Sequence, residues 1–197
     1  MIEYYLHTGL HKTGTKFFQH KVFPNLNSDE IEYNPPKLCQ LVCDLLKAKH
    51  EDLDFVLSEI KKEKKRLNKI KKTKKILISR EIMSGNLFNF YKDYKNNYIR
   101  IKKAFPEAKI LIVLRYQTDW IISCYRETLH EHHYQSLSQF LGFEIGESKF
   151  VKANYKDLDY SGILSSIKRL FGTKNTNIFF YEDFAQDKYE ILKRISK

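Results

Sequence analysis

The 197 residues are enough for one domain with a sizeable core and rather few for two. Hydrophobic residues make up 42% of the chain and aromatic residues 14%, which excludes an intrinsically disordered protein. The longest strongly apolar run, residues 110–114, is far shorter than the roughly 20 residues of a membrane-spanning helix. No signal peptide is evident after Met1, so we expect a cytoplasmic, single-domain protein (residues 1–197) with no membrane span.

The net charge of +11 is concentrated in one segment. Residues 61–75 hold ten basic side chains and one acidic side chain, a net charge of +9, while the rest of the chain is nearly balanced. Because the basicity is local, a surface that binds nucleic acid is not expected. We interpret the segment as the solvated face of a helix; the alternative is a patch that attracts an acidic binding partner.

The N-terminal part of the chain predicts one strand followed by three helices. Residues 2–7 are rich in β-forming side chains and run into a turn. A helix that starts near residues 13–15 is interrupted at Pro24. Apolar residues at three- to four-residue spacing predict further helices over residues 38–48 and 53–70. The side chains expected to face inward from the first helix are Phe17, Phe18 and Val22.

Strands and helices alternate through the rest of the chain. Short apolar runs predict strands at residues 76–79, 110–114 and 177–181. Helical patterns cover residues 93–105, 118–133, 161–171 and 188–195. Because residues 110–114 are continuously apolar, that strand is expected to be covered on both faces. The alternation predicts an α/β fold with three layers, in which helices flank a central, mainly parallel sheet.

The segment between the first strand and the first helix predicts a phosphate-binding loop. Glycines allow backbone N–H groups to converge on an anion, and the N-terminus of the following helix favours negative charge. Lys12 adds a mobile cation, and Thr13 and Thr15 add hydroxyl donors. The loop is P-loop-like but is not a Walker A sequence, because its lysine precedes the second glycine. It reads Gly9-Leu10-His11-Lys12-Thr13-Gly14-Thr15 and is followed by Lys16.

Two separate motifs resemble those of the PAPS-dependent sulfotransferases, which transfer a sulfuryl group from 3′-phosphoadenosine 5′-phosphosulfate (PAPS). The order Lys-Thr-Gly-Thr at residues 12–15 is similar to the 5′-phosphosulfate loop of that family. Arg115, at the end of the strand 110–114, and Ser123, in the next helix, resemble the pair that binds the 3′-phosphate. The donor-binding residues implied by the resemblance are Gly9, His11, Lys12, Thr13, Gly14, Thr15, Lys16, Arg115 and Ser123.

The C-terminal part is similar to the bacterial and carbohydrate-type members of the family, which favours a saccharide as the acceptor. Lys16 stands where the family usually has a second threonine, and Tyr116-Gln117 replace a common Asn-Pro. The family usually continues beyond its last helix, so the chain is expected to lack that C-terminal portion. The segments that carry the similarity are Asp159-Tyr160-Ser161, Leu170-Phe171-Gly172 and residues 178–184.

The chemistry implied by the resemblance needs a cation at the leaving group and a base at the acceptor. Sulfuryl transfer, like phosphoryl transfer, builds negative charge on the bridging oxygen, and the resemblance gives the stabilising role to Lys12. A general base must take the proton of the acceptor hydroxyl or amine. Glu81, just past the strand 76–79, is the first candidate, and His7 and His11 are the alternatives. The donor product would be 3′,5′-adenosine bisphosphate, and no metal is expected.

Two other functions are open from the residues alone. A P-loop nucleotide kinase or NTPase would share the strand–loop–helix phosphate site, but it would need a Gly-Lys-[Ser/Thr] ending and a magnesium-binding Asp. A non-catalytic module that binds polyanions would use the lysine-rich residues 61–75. His130, His132 and His133 fall on different helix faces, so they do not predict a metal site. The oligomeric state cannot be predicted from the sequence.

Overall fold

The computed structural model describes residues 2–26, 28–70, 74–132, 134–143 and 159–186. Five strands within them form one sheet, namely β1 (Glu3–His7), β2 (Ile31–Tyr33), β3 (Lys75–Ser79), β4 (Lys109–Leu114) and β5 (Thr176–Phe180). Their order across the sheet is β2-β3-β1-β4-β5, and every pair of neighbours is parallel. The central strand is therefore β1, which immediately precedes the predicted phosphate loop.

The helices connect these strands in chain order. The first of them, α1 (Thr15–Phe17), continues directly into a π-helical turn at Phe18–Val22 and a 3₁₀ turn at Phe23–Leu26. The others are α2 (Pro36–Lys47), α3 (Leu53–Ile70), α4 (Tyr94–Ala104), α5 (Gln117–His130), α6 (Leu137–Phe140), α7 (Tyr160–Phe171) and α8 (Tyr181–Gln186). Short 3₁₀ turns lie at Glu81–Ser84, Leu87–Asn89 and Thr173–Asn175. None of the helices in these described ranges combines the length and apolarity needed to cross a membrane.

Alternate side chains of the strands enter two buried clusters, one on each face of the sheet. Leu6 and Ile112 belong to the larger cluster, which also contains residues of α2, α3, α4, α5 and α7. Leu111 and Val113 belong to the smaller cluster, which also contains Phe18 and, from α8, Phe184. β4 is thus covered on both faces, as its apolar run predicts. The three-layer α/β fold with a parallel central sheet is confirmed.

The strand order places a crevice between the ends of β1 and β4. The chain leaves β1 toward β2 at one edge of the sheet, and it leaves β4 toward β5 at the opposite edge. Where connections diverge in this way, the carboxyl ends of two adjacent strands have no helix between them. The loop after β1 and the start of α5 after β4 therefore line the same opening, which is where open parallel sheets bind ligands.

The structure differs from the predicted elements in two places. Strand β2 was not predicted, because it has only three residues, all half-buried, at the edge of the sheet. The expectation that Phe17 faces the core is wrong: its side chain is 37% exposed, whereas Phe18 and Val22 are buried. After the short α1, the π-helical turn directs positions 18 and 22 toward the sheet and leaves Phe17 against Phe184, with ring centroids 4.9 Å apart. The helix predicted at residues 188–195 lies outside the described residues.

Candidate functional site

The loop after β1 is held in shape by hydrogen bonds within itself. The hydroxyls of Thr13 and Thr15 both donate to the carbonyl oxygen of Leu10, over 2.7 and 3.1 Å. The backbone passes through left-handed conformations at Lys12 (φ 66°) and Gly14 (φ 81°) before α1 begins. These two inversions bend the chain into a tight turn at the N-terminus of the helical segment.

Two glycines of the loop are required by close contacts. A Cβ atom at Gly9 would collide with the Thr15 hydroxyl and lie 2.9 Å from the His7 ring. A Cβ atom at Gly14 would lie 3.0 Å from the Tyr181 ring, and its positive φ already disfavours other residues. The loop can therefore approach the Tyr181 ring this closely only because position 14 carries no side chain.

A cavity of about 300 Å³ opens above this loop. It brings together eight of the predicted site residues, whereas Gly9 and Thr13 do not line it. Three cationic and two carboxylate side chains surround the space, so it carries a modest excess of positive charge. The lining residues are His11, Lys12, Gly14, Thr15, Lys16, Glu81, Arg115, Ser123, Glu127 and Tyr181.

Arg115 lies at the cavity mouth and contacts the loop. Its Nη1 donates to the carbonyl oxygen of Lys12 at 3.4 Å, and its guanidinium carbon lies 5.0 Å from the centre of the Tyr181 ring. Leu114 and Phe180 are register partners in the sheet, so Arg115 and Tyr181 leave adjacent strands side by side. The Nε atom of Arg115 is buried and has no hydrogen-bond partner among the described residues. This donor is available for an anionic ligand.

One face of α5 supplies Ser123 and Glu127, which are four residues apart and so lie one turn above the other. The Nζ atom of Lys12 lies 3.0 Å from Oε2 of Glu127. The hydrogen bond from Lys12 lowers the pKa of the Glu127 carboxyl below its ordinary value. Lys12 and Glu127 therefore form a charged pair inside the cavity.

His11 and Glu81 form a second pair on the opposite wall. Nε2 of His11 lies 3.7 Å from Oε2 of Glu81, which sits in the 3₁₀ turn after β3. Burial raises the pKa of Glu81 and lowers the pKa of His11. The carboxyl group and the imidazole are thus closer in proton affinity than in water, as suits groups that exchange a proton.

The hydroxyl of Tyr91 orients the His11 ring. It accepts the backbone N–H of His11 at 3.1 Å and also lies 3.1 Å from Nδ1 of the ring. Because a carboxylate accepts hydrogen bonds and does not donate them, Glu81 favours the tautomer of neutral His11 with the ring proton on Nε2, and the Tyr91 hydroxyl then donates its proton to Nδ1. That proton faces Glu81. The geometry therefore favours Glu81, rather than His11, as the proton acceptor of the pair.

His7, the other alternative base, lies below the loop and away from the cavity. Its side chain is buried, and its Nδ1 is hydrogen-bonded to the Ser79 hydroxyl at 2.7 Å. Burial lowers the pKa of His7 to about 3. The ring also packs edge-on against Phe23, with centroids 5.0 Å apart. His7 thus has a packing role under the loop.

Three residues of the site escaped prediction from the sequence. Glu127 follows Ser123 by one helical turn, and Tyr181 follows β5 as Arg115 follows β4, so helix periodicity and strand register were the available signals. Tyr91 had no such signal, because it lies in an irregular segment between two 3₁₀ turns and α4. The backbone of His11 is held as well: Trp120, a buried residue in the first turns of α5, donates a hydrogen bond from its indole Nε1 to the His11 carbonyl oxygen at 2.9 Å.

No group of three or more His, Cys, Asp or Glu side chains in the described part of the chain is placed to hold a metal ion. His130 ends α5 and is exposed, as is His132. His133, the third histidine of that segment, lies outside the described residues.

Comparison with known proteins finds similarity among solved structures. No protein-family model matches the chain, and no curated protein sequence matches it. Among solved structures, the chain is similar to a sulfotransferase from Alicyclobacillus acidocaldarius, with a TM-score of 0.64 and 18% sequence identity. The superposition covers 99% of this chain and 79% of that protein. At this identity the likeness shows the fold: the five-stranded sheet and its helices are arranged as in a sulfotransferase.

Proposed function

We propose that the protein transfers the sulfuryl group of PAPS to a hydroxyl or amine of an acceptor, and that the acceptor is a saccharide. The observation that carries the proposal is the meeting of two phosphate-binding elements in one cavity. The loop at residues 9–15 forms one wall, and Arg115 with Ser123 forms the other. The sulfotransferase fold of the solved neighbour supports the same conclusion.

The cavity fits a donor that carries phosphate at two positions. The turn around Gly14 places backbone N–H groups at the start of α1, where a 5′-phosphosulfate would be held. The buried, unpartnered Nε of Arg115 and the hydroxyl of Ser123 suit a second anionic group on the β4 side. In PAPS this second group is the 3′-phosphate, which ATP and ADP lack.

The proposed reaction is an in-line displacement at sulfur. The acceptor oxygen or nitrogen forms a bond to sulfur, and the bond from sulfur to the bridging oxygen of the 5′-phosphate breaks. The leaving group is 3′,5′-adenosine bisphosphate, which keeps the bonding electrons. Lys12 stabilises the negative charge that develops on the bridging oxygen. To do so, its ammonium group leaves the Glu127 carboxylate and contacts the bridging oxygen.

The acceptor proton passes to Glu81 in this proposal. Since the ring proton of His11 already occupies Nε2, the neighbouring carboxylate is the group with a free lone pair. The raised pKa of Glu81 makes it a stronger base than an exposed glutamate. His11 then acts by fixing and polarising Glu81, and Tyr91 holds His11 in place.

The two rival functions differ in the nucleotide that they bind. A kinase or NTPase would prefer ATP with magnesium and would have no use for Arg115 and Ser123 at a 3′-phosphate. A polyanion-binding module would show no nucleotide preference. Calorimetric titration with 3′,5′-adenosine bisphosphate, ADP and magnesium ATP therefore separates the three.

We expect 3′,5′-adenosine bisphosphate to bind at least about tenfold more tightly than ADP, a difference of about 1.4 kcal/mol. Arg115→Gln should remove most of this difference, whereas Arg126→Gln, at an exposed position on α5, should preserve it. Tighter binding of magnesium ATP by the unmodified protein would refute the proposed function.

A further inference from the structure

A second cavity, of about 360 Å³, lies on the other side of His11. His11 lines both cavities, whereas its partner Glu81 lines the donor cavity and not the second one. The walls of the second cavity come from the C-terminal end of α2, the 3₁₀ turn after β3 and the start of α4. The group proposed above to accept the proton therefore lies on the donor side of His11, 3.7 Å from the ring that the two cavities share.

The second cavity contains a carboxylate that is fixed in position. Oδ1 of Asp93 accepts the backbone N–H of Asn86 at 3.1 Å, and Oδ2 accepts Nδ2 of Asn97 at 3.2 Å. A Cβ atom at Gly85 would lie 2.7 Å from Oδ1 of Asp93, so the absence of a side chain there makes room for the carboxylate. Each oxygen of Asp93 retains a lone pair for a further donor.

We propose that the second cavity is the acceptor site, that it binds a saccharide through hydroxyl groups held by Asp93, and that Lys47 closes its outer end. The proposal rests on the sulfotransferase function proposed above. An acceptor bound there would present one hydroxyl or amine past His11, next to Glu81 and facing the donor cavity.

The lining chemistry selects the class of acceptor. Asp93 accepts hydrogen bonds from hydroxyl groups, and Nδ2 of Asn86 and Nζ of Lys47 donate them, so a molecule with many hydroxyls is matched on several sides. Leu46 and Ile82 are the apolar side chains among the described lining residues, and the aromatic ring within that set is the imidazole of His11. Those residues include no phenyl, phenol or indole ring on which a flat phenolic acceptor could stack.

The first test measures saccharide binding to the protein saturated with 3′,5′-adenosine bisphosphate. The probes are cellotetraose, which carries hydroxyls, the tetramer of glucosamine, which also carries amines, and 4-nitrophenol. We expect at least one tetrasaccharide to bind and Asp93→Asn to weaken that binding about tenfold, which corresponds to one lost charge-assisted hydrogen bond. Asp119→Asn, at an exposed position on α5, is the matched control and should bind like the unmodified protein.

Failure of both tetrasaccharides to bind would overturn the assigned acceptor class, as would binding of 4-nitrophenol that depends equally on Asp93. Saccharide binding that is unchanged in Asp93→Asn would overturn the assigned site. Failure to bind 3′,5′-adenosine bisphosphate would instead refute the proposed function, so the two failures are distinguishable.

A second test locates the site without removing the carboxylate. Lys47→Cys and Lys49→Cys both place a thiol at an exposed position. Position 47 lines the cavity, and position 49 does not. Both substitutions are made in a Cys43→Ser background, because Cys43 is a half-buried native thiol on α2. After labelling with a fluorescein maleimide, both proteins should bind 3′,5′-adenosine bisphosphate equally. The label at position 47 should abolish tetrasaccharide binding, and the label at position 49 should leave it intact. Equal effects of the two labels on saccharide binding would exclude this cavity as the acceptor site.

Discussion

Lys12 and Glu127 meet inside the cavity, with Nζ of the lysine 3.0 Å from Oε2 of the glutamate. The two residues come from elements far apart in the chain, the loop after β1 and the middle of α5. In the proposed reaction the lysine must leave this partner for the bridging oxygen of the donor. The glutamate therefore competes with the donor for the same cation.

Glu127→Gln should tighten the binding of 3′,5′-adenosine bisphosphate. The change removes one negative charge from the cavity and releases Lys12, for an expected gain of roughly three- to tenfold in affinity at low salt. Calorimetry at two ionic strengths measures it, and Glu131→Gln, just past the end of α5, is the control. Weaker binding in Glu127→Gln would show that the glutamate positions Lys12 for the donor rather than competing with it.

Lys12→Ala should reduce the turnover number by about 10²–10³-fold, because the lysine acts on charge that develops in the transition state. The affinity for 3′,5′-adenosine bisphosphate should change much less. Initial rates with PAPS and the acceptor, together with calorimetry, separate the two effects. Lys21→Ala, at an exposed position outside the cavity, is the control. A loss confined to nucleotide affinity would contradict the assigned role of Lys12.

Glu81→Gln should lower the turnover number by about 10²–10⁴-fold, the range for loss of a general base. The nucleotide affinity should not fall, since the change removes a negative charge from the cavity that is proposed to bind the nucleotide. In the unmodified protein the rate should fall at low pH as Glu81 is protonated, at a pKa above that of an ordinary glutamate. That acidic decline should disappear in Glu81→Gln. If His11→Gln has the larger effect and Glu81→Gln retains full activity, the histidine is the base.

Gly14→Ala tests the close contact between the loop and Tyr181. The backbone at Gly14 is left-handed (φ 81°, ψ 11°), so the substitution should cost about 1 kcal/mol of stability from strain alone. A Cβ atom there also meets the Tyr181 ring at 3.0 Å. Chemical denaturation should therefore show a smaller loss for Gly14→Ala in a Tyr181→Ala background than in the unmodified protein. Equal losses in the two backgrounds would mean that the Tyr181 ring moves away without cost.

The buried His7 should make the fold sensitive to mild acid. Its folded-state pKa of about 3 lies below the 6.5 of an exposed histidine. The stability that the neutral, buried ring contributes to the fold is therefore fully present above about pH 6.5 and is lost as the pH falls toward 3. Between pH 7 and pH 5 the loss for one such group is roughly 2 kcal/mol. Urea unfolding at the two pH values should show a smaller loss in His7→Gln than in His20→Gln, which changes an exposed residue. Titration of the His7 ring by NMR below pH 5 checks the pKa directly.

The sequence predicted four of the five described strands, and it predicted that the loop after β1 and Arg115 line one cavity, because each depends on local pattern. The apolar runs at residues 76–79 and 110–114 mark buried parallel strands, and glycines with a lysine between strand and helix mark the loop. Arg115 could be placed because it directly follows such a strand. Parallel strands then bring these ends together without further information.

The pairing of side chains across the cavity could not be predicted in the same way. Glu127 meets Lys12 because α5 packs at a particular angle over the loop, and a one-dimensional pattern does not contain that angle. Tyr91 reaches His11 from an irregular segment with two residues at positive φ, Phe90 and Tyr91 itself. Thr13 looked like a phosphate donor, but its hydroxyl bonds to Leu10 within the loop.

The ring of Tyr181 packs between Gly14 and Arg115, so the shape of the loop depends on a residue that follows it far along the chain. The loop that it supports precedes β5 in the chain, so the ring, which follows β5, is synthesised after the loop. A nascent chain that has not yet added β5 to the sheet lacks the wall against which the loop and the arginine are held. The proposed nucleotide binding should therefore not appear before the fifth strand docks.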